Sequence, residues 1–578
     1  MSSIGNLPLK LKWTSRRHPR RGAALAFAIL FSPAAFAQAA PDAGALSRQN
    51  QREHEPLLPG KSGPASTQEA PASPAPGNAT LTVRAFRFDG NTLLGDAQLA
   101  PAVARFVGRP VDFAQLQQAA AAVAALYRDA GWIVRSYLPQ QQVVGGLVTI
   151  RIVEARFGTP QVSVDDARRV SAARLVRIVQ AQVPTGKPVQ AAALDRAILL
   201  VRDLPGIEAQ ASLRAGANDR DTDLVLKVSD RPPAEGRIAV DNAGPRATGA
   251  ARVLAHLGLE SPSGHSERIN ADAALSSGSR YLWLDASMPA GSQGWRLGLA
   301  AWELNYRLGT PEFAALDAHG SAGDLGARAS YPVVRARSRN LYLNLGADHK
   351  RFDNRSAGTT SSRYRSDALT LGLAGNRFDD WAGGGATNAQ ATLVAGRLDL
   401  AGSPNQAADA ATARTAGAYT KLQLSLSRLQ TISETLSAYA ALSLQAASKN
   451  LDSSEMFYLG GAQGVRAYPV NEGSGSGGEL LNLELRRVLP AGFALTGFID
   501  WGCVRVHVDA GFAGATAPNR YCLKGGGATL AWQAGPGTGI GLTWAHRLGH
   551  NPSPGANGAD QDGSRLLNRF WLTASLAF

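Results

Sequence analysis

The chain has 578 residues, a formal net charge of +14, 62 glycines, two cysteines and 18% charged residues. That length allows several domains, and the basic excess is spread along the chain, not gathered into a nucleic-acid stripe. No stretch reaches the roughly 18 apolar residues of a membrane helix, whereas low charge, abundant glycine and short alternating segments suit a transmembrane barrel better than a soluble enzyme.

The first residues predict export. Lys10, Lys12, Arg16, Arg17, Arg20 and Arg21 precede an apolar run from Gly22 to Phe31, and Ala35-Phe36-Ala37 is a small-x-small cleavage site. Residues 1–37 read as a secretory signal peptide. Residues 38–55 follow as a candidate helix from Asp42 to Glu55, with Asp42 as N-cap and Gly44 weakening it. Residues 56–79 are rich in Pro, Gly, Ser and Ala and read as a flexible linker. Gly60-Lys61-Ser62 within it lacks the leading glycine and the preceding strand of a phosphate loop.

Two α+β units are expected next, at 80–157 and 158–232. In the first, Leu81 to Phe88 alternates as a strand. Helices over Ala97–Val107 and Phe113–Ala130 and strands over Trp132–Leu138 and Gly146–Glu154 follow. The second repeats this β-α-α-β-β order, which fits a POTRA module, a small periplasmic domain. From about residue 233 to the end, strands alternate with Gly/Ser/Asn/Asp-rich loops. Leu422, Leu424 and Leu426, then Leu481, Leu483 and Leu485, then Trp302, Leu304 and Tyr306 mark apolar faces expected to meet lipid, with the polar face toward a wet lumen. The final strand alternates to a terminal aromatic, Phe578. The count suggests sixteen strands, with fourteen or eighteen left open.

Several segments in this order resemble the TpsB family, the outer-membrane transporters of two-partner secretion of the ShlB/FhaC/HecB type. They are Phe86-Arg87-Phe88-Asp89-Gly90-Asn91, Leu138-Pro139-Gln140-Gln141, Leu204-Pro205-Gly206 and Asp241-Asn242-Ala243-Gly244, the last matched to the start of the barrel. Two motifs are more specific. Val465-Arg466-Ala467-Tyr468 resembles the Val-Arg-Gly-Tyr/Phe motif of a long extracellular loop. Phe498-Ile499-Asp500-Trp501-Gly502 resembles the Phe-x-Asp-x-Gly motif of a later strand. Ala467 departs from the usual glycine, which puts the local backbone in question if φ must be positive. Strand parity turns Asp500 into the lumen, since a lipid-facing carboxylate is costly, and the resemblance implies that Arg466 folds inward to pair with it.

The resemblance implies a signal peptide, an N-terminal plug helix and linker, two POTRA domains and a 16-stranded antiparallel transmembrane β-barrel. It implies an outer-membrane translocator that exports a TpsA-type exoprotein of haemolysin or adhesin type, with the POTRA domains in the periplasm. Other expected partners are outer-membrane lipid and lipopolysaccharide, and the barrel assembly machinery and periplasmic chaperones during biogenesis. A monomer is expected, with no nucleic acid, cofactor, metal or catalytic residue. The Glu472–Glu479 segment reads as a flexible part of the Arg466 loop. Cys503 and Cys522 are expected to pair across the base of the His507–Arg520 loop, the alternative being two buried free thiols. A BamA/TamA-like assembly factor is the rival reading, and a passive channel or an outer-membrane enzyme fits less well.

Overall fold

The computed structural model describes residues 40–52, 58–61, 80–164, 169–216, 218, 220–555 and 557–578. The signal-peptide reading and most of the linker lie outside them. One helix, α1 (Ala43–Arg52), comes first. Asp42 caps it, accepting the amide of Ala45 at 2.8 Å, as Asp in the N-cap position does.

The first α+β unit has strands Ala85–Asp89, Val134–Tyr137 and Leu147–Glu154, with Leu147–Glu154 in the centre. Its helices are Asp96–Val103 and Phe113–Asp129. Asp112 and Gln115 form a reciprocal capping box at the second helix, satisfying two amides at opposite ends of one turn. The expected opening strand breaks in two. Leu81–Thr82 pairs instead with Pro110–Val111, because Gly146 O takes the Arg84 amide at 2.7 Å and turns the chain there. Tyr127, Val123, Leu99, Ile150 and Ile152 fill the core.

In the second unit Asp221–Asp230 is central, parallel to Gln161–Val164 and antiparallel to Ile207–Ala215. Helices Ala172–Gln182 and Ala191–Arg202 cover it. The repeated order therefore yields the same topology twice: the last strand in sequence lies in the middle.

Sixteen antiparallel strands then close into a barrel. Counted from Ala234–Asp241, the first pairs with the last, Asn568–Ala577, through Arg237–Asp241 against Ala577–Thr573. Closure leaves no exposed edge to pair with another chain. The second α+β unit grips the near end of the barrel. Arg335 forks onto Asp203 through Nε and Nη2, each 2.8 Å, and Gly206 N donates to Glu260 Oε2 at 3.0 Å. The Leu204-Pro205-Gly206 turn is thus part of this joint.

The faces of the strands hold one correction. Leu422, Leu424, Leu426, Leu483 and Leu485 do point outward and are exposed. Trp302, Leu304 and Tyr306 point inward and are buried, while Glu303, Asn305 and Arg307 face out. These residues lie toward the far end of the fifth strand, where the inward side packs on α1 through Ala43 and Leu46. The lumen there is apolar because a helix fills it. The first strand also carries the start of Asp241-Asn242-Ala243-Gly244. This segment lies at the far end of that strand, where Asp241 takes both Nε and Nη2 of Arg252 at 2.9 Å.

Candidate functional site

The long loop between the eleventh strand (Leu436–Ala447) and the twelfth (Gly477–Val488) folds back into the barrel. Val465 and Ala467 are fully buried and Tyr468 nearly so. The thirteenth strand (Phe493–Arg505) supplies the wall beneath them. Arg466 donates to Asp500 from its backbone N (3.0 Å), Nε (2.9 Å) and Nη2 (2.7 Å). This fork is the geometry in which guanidinium and carboxylate bind most strongly. Arg466 Cζ also lies 3.6 Å from the centre of the Phe498 ring, close enough for cation–π attraction.

The Phe-x-Asp-x-Gly pattern now has a physical content. Residues 498, 500 and 502 share one face of the strand. Phe498 bears the guanidinium, Asp500 binds it, and Gly502 makes room. A Cβ at position 502 would sit 2.5 Å from Leu459 Cδ2 of the loop. Ala467 is accommodated in the same way. It is absent from the described non-glycine residues with positive φ, and its methyl lies over Gly525, where a Cβ would approach Ala467 Cβ to 2.6 Å. The departure from glycine therefore brings no backbone strain.

Three partners were not foreseen. Asn482 Nδ2 donates to Asp500 at 2.7 Å and to Gly464 O at 3.1 Å. Glu484 takes Arg466 Nη1 at 2.9 Å. Trp571 of the last strand donates its indole N–H to Arg466 O at 2.9 Å. Asn482 and Glu484 share the inward parity of the twelfth strand, which the sequence displays. Their partners needed the register, Asn482 opposite Asp500 and Glu484 opposite Phe498. The expectation of a wet lumen around this pair is corrected: Asp500 is wholly buried. The loop itself screens it from water.

A second anchor lies earlier in the same loop. Glu455 is buried and binds Lys350 at 2.8 Å and Lys421 at 2.6 Å, one from the seventh strand and one from the tenth. The short turn Ser453–Glu455 that carries it is also the seat of α1. Ser453 Oγ donates to both Asp42 oxygens at 2.8 and 2.9 Å. Gly44 touches the same turn, where a Cβ would lie 2.3 Å from Ser453 Oγ. The glycine that weakens the helix locally is what lets the loop approach. Arg52 Nη1 reaches Tyr458 O at 3.2 Å from the other end of α1. Beyond the helix, Pro59 O accepts Asn376 Nδ2 at 2.7 Å, and Lys61 faces Asp380 at 3.7 Å. Residues 58–61 thus lie at the near end of the barrel.

The Glu472–Glu479 segment is not a loose extension of the loop. Glu472 is buried and accepts Asn551 Nδ2 and Gln561 N, both at 2.7 Å. Ser474–Gly475 pairs with Phe457–Tyr458, and residues from Gly477 onward enter the twelfth strand. Cys503 and Cys522 form a disulfide between directly opposed residues of the thirteenth and fourteenth strands. Pairing continues to Arg505 and Arg520, so the bridge lies within the ladder, below the base of the loop.

Beside α1 and the long loop a cavity of about 530 Å³ remains, lined by Asn50, Arg52, Asp272, Tyr281, Thr543 and Trp571 among others. It is the part of the lumen that helix and loop leave open. The lining is mixed in polarity.

The family model for haemolysin secretion/activation protein ShlB/FhaC/HecB matches residues 221–519. The ShlB-type POTRA domain matches residues 81–155. The heme/hemopexin transporter protein HuxB of Haemophilus influenzae strain 86-028NP is 24% identical over 96% of this chain and 98% of its own. CdiB from Escherichia coli shares the fold with a TM-score of 0.66, at 18% identity, over 92% of this chain and 96% of that one. BamA from Haemophilus ducreyi lacking POTRA domains 1–3 is less similar, with a TM-score of 0.52 and 14% identity, over 86% of this chain and all of that one. With its family match, its sixteen-stranded barrel and its POTRA topology, the chain belongs to the ShlB/FhaC/HecB family of outer-membrane transporters of two-partner secretion, its barrel in the outer membrane and its POTRA modules in the periplasm.

Proposed function

We propose that this transporter exports one large exoprotein of haemolysin or adhesin type, held unfolded by the POTRA modules and passed through the barrel. A strand edge of the POTRA sheets would capture an extended segment of the cargo by adding it as a further strand. Two of the three strands of the first POTRA sheet are edge strands, Ala85–Asp89 and Val134–Tyr137. No nucleotide drives the passage; folding of the cargo outside supplies its direction.

In the resting state α1 plugs the lumen and the long loop is pinned to the wall. The observation that carries this reading is the pair of anchors on one loop: Arg466 on Asp500, and Glu455 on two lysines with α1 seated on the adjoining turn. Opening requires α1 to leave the Ser453–Glu455 turn, while Arg466 keeps the loop tip in place. The linker from Pro56 to Gly77 tethers the displaced helix. Residues 58–61, held at the near end by Asn376 and Asp380, would keep the displaced helix at the periplasmic mouth.

The test is a comparison of culture media from the parent strain, a strain lacking this gene and the complemented strain. Mass spectrometry should find one large exoprotein lost and then restored, with outer-membrane barrel proteins unchanged. A general fall in outer-membrane proteins would favour the assembly-factor reading instead. The similarity to the heme/hemopexin transporter protein HuxB favours one narrower candidate, a cargo concerned with heme/hemopexin, and the identity of the lost protein decides it.

A further inference from the structure

The outer face of the barrel changes character along three adjacent strands. On the seventh (Arg339–Ser356), eighth (Thr359–Asp379) and ninth (Gly385–Asp399) strands, outward positions are leucine through the middle. Leu345, Leu369, Leu371, Leu373 and Leu393 are each at least 40% exposed. Towards the extracellular end the same outward positions become charged. His349, Asp367 and Arg397 stand side by side in the register; Arg351, Arg365 and Asp399 form the next row, and Asp353 and Arg363 the next. The alternating residues behind them, Lys350, Phe352, Tyr364, Ser366 and Leu398, are buried inside.

Most of these charges are matched. Arg365 gives Nε and Nη2 to Asp399 at 2.9 and 2.7 Å. Asp353 is shared by Arg355 at 3.1 Å and Arg363 at 2.7 Å. His349 Nδ1 lies 2.6 Å from Asp367, and its Nε2 accepts Arg351 Nε at 3.0 Å. Two arginines are left over among the described residues. Arg397 has no ion pair among the described residues, and Arg351 reaches only the Nε2 of His349. Arg351 also stands directly opposite Arg365, a like-charge pair that destabilises a sheet; Asp399 balances Arg365 and leaves Arg351 without a carboxylate.

On a soluble protein such a patch would be solvated and unremarkable. Here it begins one or two outward positions beyond the lipid-facing leucines. Its neighbour is therefore the headgroup of the lipid whose chains cover those leucines, and in the outer leaflet that headgroup is a phosphorylated glycolipid. We propose that Arg351 and Arg397 form a binding site for the phosphates of lipopolysaccharide, with its acyl chains on Leu345, Leu369 and Leu393. The two arginines lie two strands apart, roughly 10 Å across the sheet, so they reach two phosphate positions and not one. Arginine suits the task because its planar fork matches phosphate oxygens and stays charged. The inference rests on the outer-membrane location and is independent of which cargo is exported.

Purified lipopolysaccharide, dephosphorylated lipopolysaccharide and phosphatidylglycerol, each titrated onto the full-length protein in detergent, test it, with native mass spectrometry reading bound lipid. Lipopolysaccharide should bind the wild type about tenfold more tightly than either of the others, the effect of a charge-assisted contact. Arg351→Ser with Arg397→Ser should lose that advantage while the barrel stays heat-modifiable, and Arg351→Lys with Arg397→Lys should retain most of it. Equal binding of phosphorylated and dephosphorylated lipopolysaccharide to the wild type would overturn the site whatever the variants do. Equal binding of phosphatidylglycerol would overturn the glycolipid assignment, and undiminished binding by the folded serine variant would overturn the choice of residues.

Discussion

Asp42 and Ser453 meet across 411 residues of chain, the serine hydroxyl donating to both carboxylate oxygens of the helix N-cap. The same carboxylate that starts α1 thus also docks it on the long loop. Cap and dock cannot be separated: losing Asp42 weakens the helix and its seat together.

The first prediction concerns this seat. Asp42→Ala should raise the frequency of open events in planar bilayers. Removal of residues 42–52 should raise single-channel conductance severalfold, because the element that fills the lumen is gone. Glu455→Gln should act in the same direction as Asp42→Ala, since it releases the turn on which α1 rests and leaves Lys350 and Lys421 without their carboxylate. Unchanged conductance after removal of residues 42–52 would mean that the helix does not obstruct the pore.

The second concerns the first POTRA module and pH. Glu154 is buried, which raises its pKa, but hydrogen bonds from the Thr92 hydroxyl, the Leu93 and Thr92 amides and the Tyr127 hydroxyl outweigh burial and hold the carboxyl below its ordinary range. A depressed folded pKa contributes stability above the unfolded value of about 4.3, and that contribution is lost as pH falls through the folded pKa. Glu154→Gln should therefore speed hydrogen exchange of the Thr92 and Leu93 amides and of strand Leu147–Glu154 at pH 7, at a cost of about 1–3 kcal/mol. The gap from wild type should narrow in strong acid. A gap that widens as pH falls would contradict the assignment.

The third concerns the cysteines. Non-reducing mass spectrometry of protein from intact cells should find the Cys503–Cys522 peptide pair. Cys503→Ser with Cys522→Ser should leave export within about twofold of wild type, because thirteen consecutive residue pairs already join these strands and ladder pairing does not depend on the bridge. A large export defect in a folded double variant would show that the bridge holds something the ladder does not.

The fourth concerns room for the loop. Gly502→Val places branched carbons where Leu459 Cδ2 stands, and buried overpacking costs about 1–3 kcal/mol. The barrel should still assemble, with faster protease cleavage within the long loop. Wild-type protease resistance would show that the loop does not need this glycine.

Much of the architecture was readable because period-2 alternation survives without any knowledge of contacts. Phe570, Leu572, Leu576 and Phe578 are exposed on the outer face of the last strand, as their spacing implies. Alternation separates two faces but does not say which one is inside. The alternation of Trp302, Leu304 and Tyr306 therefore reads equally well as a lipid-facing stripe; a helix from the other end of the chain covers them instead. The Arg466–Asp500 contact was implied by resemblance and by parity, which turned Asp500 inward. Glu455 with Lys350 and Lys421 left no such trace. The lysines come from strands far apart in sequence, and only the closed barrel brings them to one carboxylate.

The most direct measurement is a double-mutant cycle on Arg466 and Asp500, reading exoprotein in the medium per folded barrel in the outer membrane. Arg466→Ala should cut export at least tenfold, because it leaves the wholly buried Asp500 carboxylate with only the Asn482 amide and the backbone N–H at position 466, while Glu484 keeps Arg486, and breaking one side of a buried pair costs about 3–5 kcal/mol. Asp500→Ala should be the milder change, since Arg466 keeps Glu484. The double variant should be little worse than Arg466→Ala, as residues in one interaction are not additive. Strictly additive defects, or normal export by Arg466→Ala, would contradict the account of an inward-pinned loop on which transport depends.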